Sequence, residues 1–160
     1  RGNIDSRISK VKRGEYDGTI LALAGIQTLK LDHEIKKIFS EEKIIPCAGQ
    51  GIIAVQCRKN DFENLKILKK INDEDTKICA ITERSLLKTI GGDCHTAVGA
   101  YAKIDKNNII IIAQLFSDDG LKSFSIKKIG DKKFPEKLGI SAGKELLKKS
   151  EGYYKKKRWI

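Results

Sequence analysis

Four cysteines, two histidines and six arginines are the side chains in this 160-residue sequence whose chemistry is hardest to replace. The cysteines, Cys47, Cys57, Cys79 and Cys94, include no Cys-x-x-Cys pair, and with only His33 and His95 beside them they do not form a zinc site of ordinary spacing. Cys47, Cys57 and Cys79 stand in apolar surroundings, where a reduced thiol is expected to pack as a small buried hydrophobe. Cys94 differs: it follows Gly91-Gly92-Asp93 and precedes His95-Thr96, a small-residue turn on which a thiol can be reached by a ligand. His95 is its neighbour in sequence, but adjacent side chains on an extended loop point apart, so a Cys–His nucleophilic pair is disfavoured. Arg1 and Arg7 fall within the first seven residues, and a guanidinium fork holds a carboxylate through two bonds where Lys offers a point charge. Spacing alone would equally allow Arg1 and Arg7 to be solvated surface charge. Gln50, set between Gly49 and Gly51, is either a plain turn residue or a polar contact for a ligand brought close to the backbone.

The composition bounds what these residues can serve. A hydrophobic content of 40 % is enough for a core, and apolar runs such as Ile109 to Ala113 fall far short of the roughly 20 residues needed to span a membrane. The net charge of +11 first suggests nucleic acid, since basic surfaces gain affinity by releasing counterions. Lys and Ile are inflated together, however, as AT-rich coding would produce, and aromatic residues at 6 % are too few for a stacking platform. The chain has no Met, even at position 1, and opens on Arg1, which reads as part of a longer protein. Reduced cysteines without a leader suggest the cytoplasm, and no metal is implied.

Stepping from Arg7 outward, Ile4, Ile8 and Val11 recur at helical spacing and predict a short helix over Ile4 to Lys12 with Asn3 near its cap. Asp17 to Leu23 reads as a buried strand, followed by a short helical stretch through Leu31; Ile44-Ile45 and Ile52 to Cys57 read as further strand. The segment Pro46 to Gly51 is not a phosphate loop, because no Lys-Ser or Lys-Thr follows the second glycine. Phe62, Leu65, Leu68 and Ile71 make one helical face, and Asn72 to Asp75 cap a second helix running to Ile90. Val98 to Ile104, Ile109 to Phe116 and Leu121 to Ile129 predict three antiparallel strands, with turns at Asn107-Asn108 and Asp118-Asp119-Gly120. Pro135 starts a last helix with Leu138, Ala142, Leu146 and Leu147 on one face, and a tail from Tyr153 to Arg158 is expected to be solvated. Glu83 and Arg84 fall within a helix and are expected to hold domains together by ion pairing.

Arg1-Gly2-Asn3-Ile4-Asp5-Ser6-Arg7, Asp17 to Gly25, Pro46 to Gly51, Cys57-Arg58, Glu83-Arg84 and Gly91-Gly92-Asp93-Cys94, taken in order and spacing, resemble the porphobilinogen deaminase (hydroxymethylbilane synthase) family from Arg1 to the C-terminus. The resemblance implies a three-domain enzyme about twice this length. Its fold would be an α/β remnant of a periplasmic-binding-protein-like domain followed by a small α+β domain: residues 1–50 the later part of domain 2, 51–72 a segment returning to domain 1, and 73–160 domain 3. It implies a dipyrromethane cofactor joined through a thioether to Cys94. On it four porphobilinogen units condense stepwise in tetrapyrrole (haem) biosynthesis, each incoming pyrrole losing ammonia to become an electrophile. Arg1 and Arg7 match carboxylate-binding arginines of the family, Ala22 and Gly25 match backbone positions lining the cleft, and Gln50 matches a polar contact to the pyrrole chain.

The same resemblance marks departures. Thr28 stands where many relatives carry a substrate-binding Arg, so that duty would pass to Lys30 or a neighbour. Asp93 replaces a common Gly, and a carboxylate there disfavours the Cys94 thiolate; Ala97 replaces a frequent Pro, which loosens the loop. The family's catalytic Asp belongs to the part preceding this chain, so the chain alone is expected to be inactive. The expected partners are porphobilinogen and the growing polypyrrole, with neither nucleic acid nor membrane. The full enzyme would be a monomer, whereas this chain would self-associate or retain its N-terminal half. Two other functions compete: a basic nucleic-acid-binding module, which requires salt-sensitive affinity, and a thiol-redox protein using Cys94, which requires a low thiol pKa.

Overall fold

Hydrophobic periodicity in the second half of the chain builds a sheet with two helices on one face. The computed structural model describes residues 2–93, 95–151 and 153–154, and divides into two compact units, 1–40 and 41–160.

In the larger unit, strands β1 (Val98–Asp105), β2 (Asn108–Phe116) and β3 (Ser123–Asp131) form an antiparallel meander in the order β1-β2-β3. Period-two alternation sends Ile109, Ile111, Ala113 and Leu115 of the central strand to one face, where all four are fully buried. Ala100 and Ala102 lie opposite Ala113 and Ile111, and Phe124 and Ile126 opposite Leu115 and Ala113, so that face is continuous across the sheet. Helices α4 (Glu74–Ile90) and α5 (Pro135–Lys149) pack on it and on each other. Glycines on α5 permit the close crossing: a Cβ added to Gly143 would come 2.8 Å from Thr89 Cβ, and one added to Gly139 would collide with the Thr82 carbonyl. Asp73 caps α4 by accepting from Thr76 N, and Gly91, left-handed at φ 69°, ends it.

Two sequence expectations shift here. The β1–β2 turn is centred one residue early, since Asn108 already pairs with Asp105 and Lys106 takes the left-handed conformation. The tail is not wholly solvated: Tyr154 is buried in the core and donates to the Ile90 carbonyl at 3.4 Å, while Tyr153 meets Phe124 with ring centroids 5.7 Å apart. An aromatic side chain offers more apolar area than a charged run can outweigh.

Before α4, the unit contains α3 (Phe62–Ile71), capped by Asp61. Its apolar residues Phe62, Ile67 and Ile71 are exposed. Ile44-Ile45 and Ile52 to Cys57 are not strands. Nor is Asp17 to Leu23 in the smaller unit, where Leu23 instead opens helix α2 (Leu23–Thr28) after helix α1 (Ile4–Lys12). A strand exists through its ladder, and the described residues form no ladder with these segments; Ile20, Ile53 and Val55 remain exposed. The cysteines were expected to be buried, yet Cys47 is exposed and Cys57 and Cys79 only partly covered. No helix among the described residues is long and apolar enough to cross a membrane.

Candidate functional site

In residues 1–40, Arg7 projects from α1 and donates through Nη2 to the Ile20 carbonyl at 3.2 Å, anchoring the guanidinium against the extended 17–22 segment. With Lys10, Tyr16, Gly18 and Thr19 it lines a pocket of about 240 Å³. No acidic side chain is among these residues, so the pocket favours an anion. Ala22 is the N-cap of α2, its carbonyl accepting from Gly25 N at 3.1 Å. Gly25 has a packing reason for being glycine, because a Cβ there would lie 2.7 Å from Ile4 Cδ1 of α1. Thr28 turns its hydroxyl inward to the Ala24 carbonyl at 2.8 Å, and Lys30 beyond it is held left-handed at φ 56°. Arg7, Ala22 and Gly25 thus belong to one small assembly; Arg1 lies outside the described residues.

In residues 41–160, the Gln50 segment is a tight double turn. Gln50 N donates to the Cys47 carbonyl at 3.0 Å, Gln50 Oε1 accepts from Cys47 N at 3.2 Å, and Ile52 N donates to the Gly49 carbonyl at 3.1 Å. Gly49 and Gly51 occupy left-handed backbone at φ 79° and 83°, which explains the two glycines. Gln50 itself is exposed.

Sequence reasoning missed what holds this turn. Glu83 has no ion-pair partner among the described residues; its side chain is buried, Oε2 accepting from Gly49 N and Oε1 from Ala102 N, each at 2.7 Å. Burial pushes its carboxyl pKa up against the downward pull of the two backbone donors. Close by, burial first and the Glu83 charge second push the Cys79 thiol up to about 11, which makes it a poor nucleophile. The signal was present in the sequence: Cys79, Glu83, Leu86 and Ile90 follow the 4-3-4 spacing of a core-facing helical stripe, so a carboxylate on it needed buried donors.

Cys94 lies outside the described residues, but its flanks are ordered by their own bonds. Asp93 Oδ1 accepts from His95 N at 2.8 Å and from the Thr96 hydroxyl at 3.0 Å, and Thr96 Oγ1 accepts from Asp93 N at 3.0 Å. A Cβ on Gly92 would come 2.6 Å from Leu87 Cδ1, so the second glycine lets the chain turn close over α4.

One unit thus carries a pocket lined by Arg7 and Lys10, and the other a glycine-rich turn latched to an α+β core whose helix α4 ends at Gly91. The chain belongs to the porphobilinogen deaminase family. The family model described as "Porphobilinogen deaminase, dipyromethane cofactor binding domain" matches residues 1–66, and that described as "Porphobilinogen deaminase, C-terminal domain" matches residues 77–148. The porphobilinogen deaminase of Francisella tularensis subsp. tularensis (strain WY96-3418) is 38 % identical over 147 residues, covering 92 % of this chain and 48 % of that protein. That of subsp. novicida (strain U112) is 37 % identical over the same length and the same shares. The chain therefore spans about half the length of the curated relatives it matches.

Proposed function

We propose that this chain serves porphobilinogen deamination and condensation, as the part of a porphobilinogen deaminase that carries the cofactor attachment point and some of the carboxylate-binding arginines. The observation that carries the reading is the ordered match of both family models, the second including Gly91-Gly92-Asp93-Cys94 where α4 ends. The described residues suit the group: its acetate and propionate carboxylates call for cations, which Arg7 and Lys10 offer around a pocket without acidic lining. Bound through Cys94, dipyrromethane would supply the nucleophilic pyrrole α-carbon that takes up the first porphobilinogen unit, later units joining the free end of the growing chain.

The chain's own residues then bind and orient. Arg7, steadied by the Ile20 carbonyl, keeps guanidinium N–H groups for a carboxylate; Arg1 is assigned the same duty. Ala22 and Gly25 border that site with backbone, and Gln50 offers its amide N–H₂ to the pyrrole chain, its Oε1 being engaged by Cys47 N. Because the Thr28 hydroxyl is spent on Ala24, Lys30 is the better replacement anchor. A cytoplasmic location and a haem-pathway role go with this reading.

It also keeps the domain assignment of 1–50, 51–72 and 73–160, with the first segment derived from a periplasmic-binding-protein-like domain. Exposed Ile20, Ile53 and Val55 in unpaired extended segments support it, since such segments suit a sheet completed by further chain. The same surface favours self-association or retention of an N-terminal half, which gel filtration checks: a lone compact monomer argues against it.

The deciding experiment is the intact mass of the purified chain with peptide mapping across Cys94. A two-pyrrole adduct on Cys94 supports the assignment. An adduct on Cys47, Cys57 or Cys79 instead, or chain expressed with the rest of the enzyme that never acquires one, overturns it.

A further inference from the structure

The Gln50 turn is docked on the free edge of β1, away from β2. Ala100 N donates to the Pro46 carbonyl at 2.8 Å, and a Cβ on Gly99 would come 2.6 Å from the Ile45 carbonyl. Glu83 closes the arrangement from below, with one carboxylate oxygen on Gly49 N of the turn and the other on Ala102 N of the strand. Two backbone donors converging from different segments require two acceptors and no donor, which among side chains only an ionised carboxylate provides. Gln would present an N–H₂ to one of the two N–H groups, and Asp is a methylene too short to bridge both. Burying a carboxylate with hydrogen bonds but no ion-pair partner among the described residues is costly, so its place here calls for an explanation beyond stability.

We propose that Glu83 is a positioning residue: it fixes the Gln50 turn to β1 and α4, and thereby sets where Gln50 meets the polypyrrole relative to the loop that begins at Gly91. The link is rigid, because α4 runs from Glu83 to that loop over about two turns, roughly 10 Å, with Leu86 and Ile90 fully buried along the way. This inference rests on the assignment of Gln50 as a polypyrrole contact, and the experiment separates the two.

Glu83→Gln, Gln50→Ala and the double variant are compared in the cofactor-loaded enzyme for the rate of porphobilinogen addition. Amide hydrogen exchange of Gly49 and Ala102 is followed in the folded chain. Positioning predicts that Glu83→Gln speeds exchange at Gly49 or Ala102 by about tenfold or more while the β2 amides stay protected. It also predicts that each single variant slows addition about tenfold and that the double variant is scarcely slower than either. Multiplying effects in the double variant, which a merely structural role would give, overturn the proposal, as does unchanged exchange at both amides. If Gln50→Ala leaves addition unaffected, the assignment of Gln50 is what fails, and the positioning role falls with it. Should Glu83→Gln not fold, the unsubstituted protein is titrated by NMR: Gly49 and Ala102 amide protons must move together with the Glu83 carboxyl carbon, apart from the higher titrations of Cys79 and Tyr101 beside it. Independent movement overturns the proposal.

Discussion

Residues 1–40 and the sheet-and-helix core of the larger unit hold their proposed binding groups in opposite ways. In the first, Ile26 is the one apolar side chain buried among the described residues, and Arg7 is steadied by a hydrogen bond from a short helix to an extended segment. In the second, fully buried Leu86, Ile90, Ile109, Ile111, Leu115 and Leu146 surround the elements that lead to Gly91 and hold Glu83. Binding groups on a thin scaffold can be exchanged with little effect on folding, whereas the latch beneath Gln50 inherits the stiffness of a packed core.

Core truncation should break the symmetry most strongly. Ile111→Ala or Leu146→Ala is expected to cost about 2–5 kcal/mol in urea unfolding, and Ile26→Ala less than half as much, because far fewer neighbours lose contacts there. Equal losses would refute the contrast between the units. Next comes Arg7→Lys: under the proposed function it raises KM for porphobilinogen about tenfold in the complete enzyme, while the unfolding free energy of this chain stays within about 0.5 kcal/mol of the parent. A large stability loss would recast Arg7 as a structural tie to Ile20.

The two helix caps give a smaller and sharper test. Asp73 accepts from Thr76 N at 2.7 Å, so Asp73→Ala should cost about 1 kcal/mol; Asn3 makes no side-chain cap bond, so Asn3→Ala should be near neutral in the same assay. The smallest effect is in pH. The Glu83 pKa is raised on folding, so the native state holds its proton longer, and its contribution to stability falls as pH rises from the ordinary value of 4.5 through the folded one. Asp73, whose pKa is lowered first by the Thr76 backbone donor, works the other way, losing stability as pH falls through its folded pKa. Stability of the parent relative to Glu83→Gln should therefore decline across the first window, measured by urea unfolding at stepped pH, and a rising difference would contradict it.

Legibility in the sequence followed the same divide. Alternation in Val98 to Ile129 and the apolar stripe of Pro135 to Leu147 announced the sheet and α5, because those elements bury their faces on one another. The apolar runs at Asp17 to Leu23 and Ile52 to Cys57 also carry a local strand signal, but no described residue forms a ladder with them, and propensity alone forms none. Arg7, Gln50 and Gly25 were visible as residue types at motif positions. Glu83 was misread as half of an ion pair because a charged residue beside Arg84 suggests one, and only the long-range fold brings Gly49 N and Ala102 N to its two oxygens.

The two outer strands of the meander are guarded differently. The Pro46 segment lies along β1, whereas β3 has no strand on its outer side among the described residues, only the Lys149 ammonium donating to the Ser125 carbonyl at 3.1 Å. Lys127 and Lys128 interrupt that strand, paired with Glu42 and Glu145 at 3.3 and 2.9 Å. Neutralising those ammonium groups, by acetylation for instance, is expected to remove that guard and make edge-to-edge addition of a second chain easier.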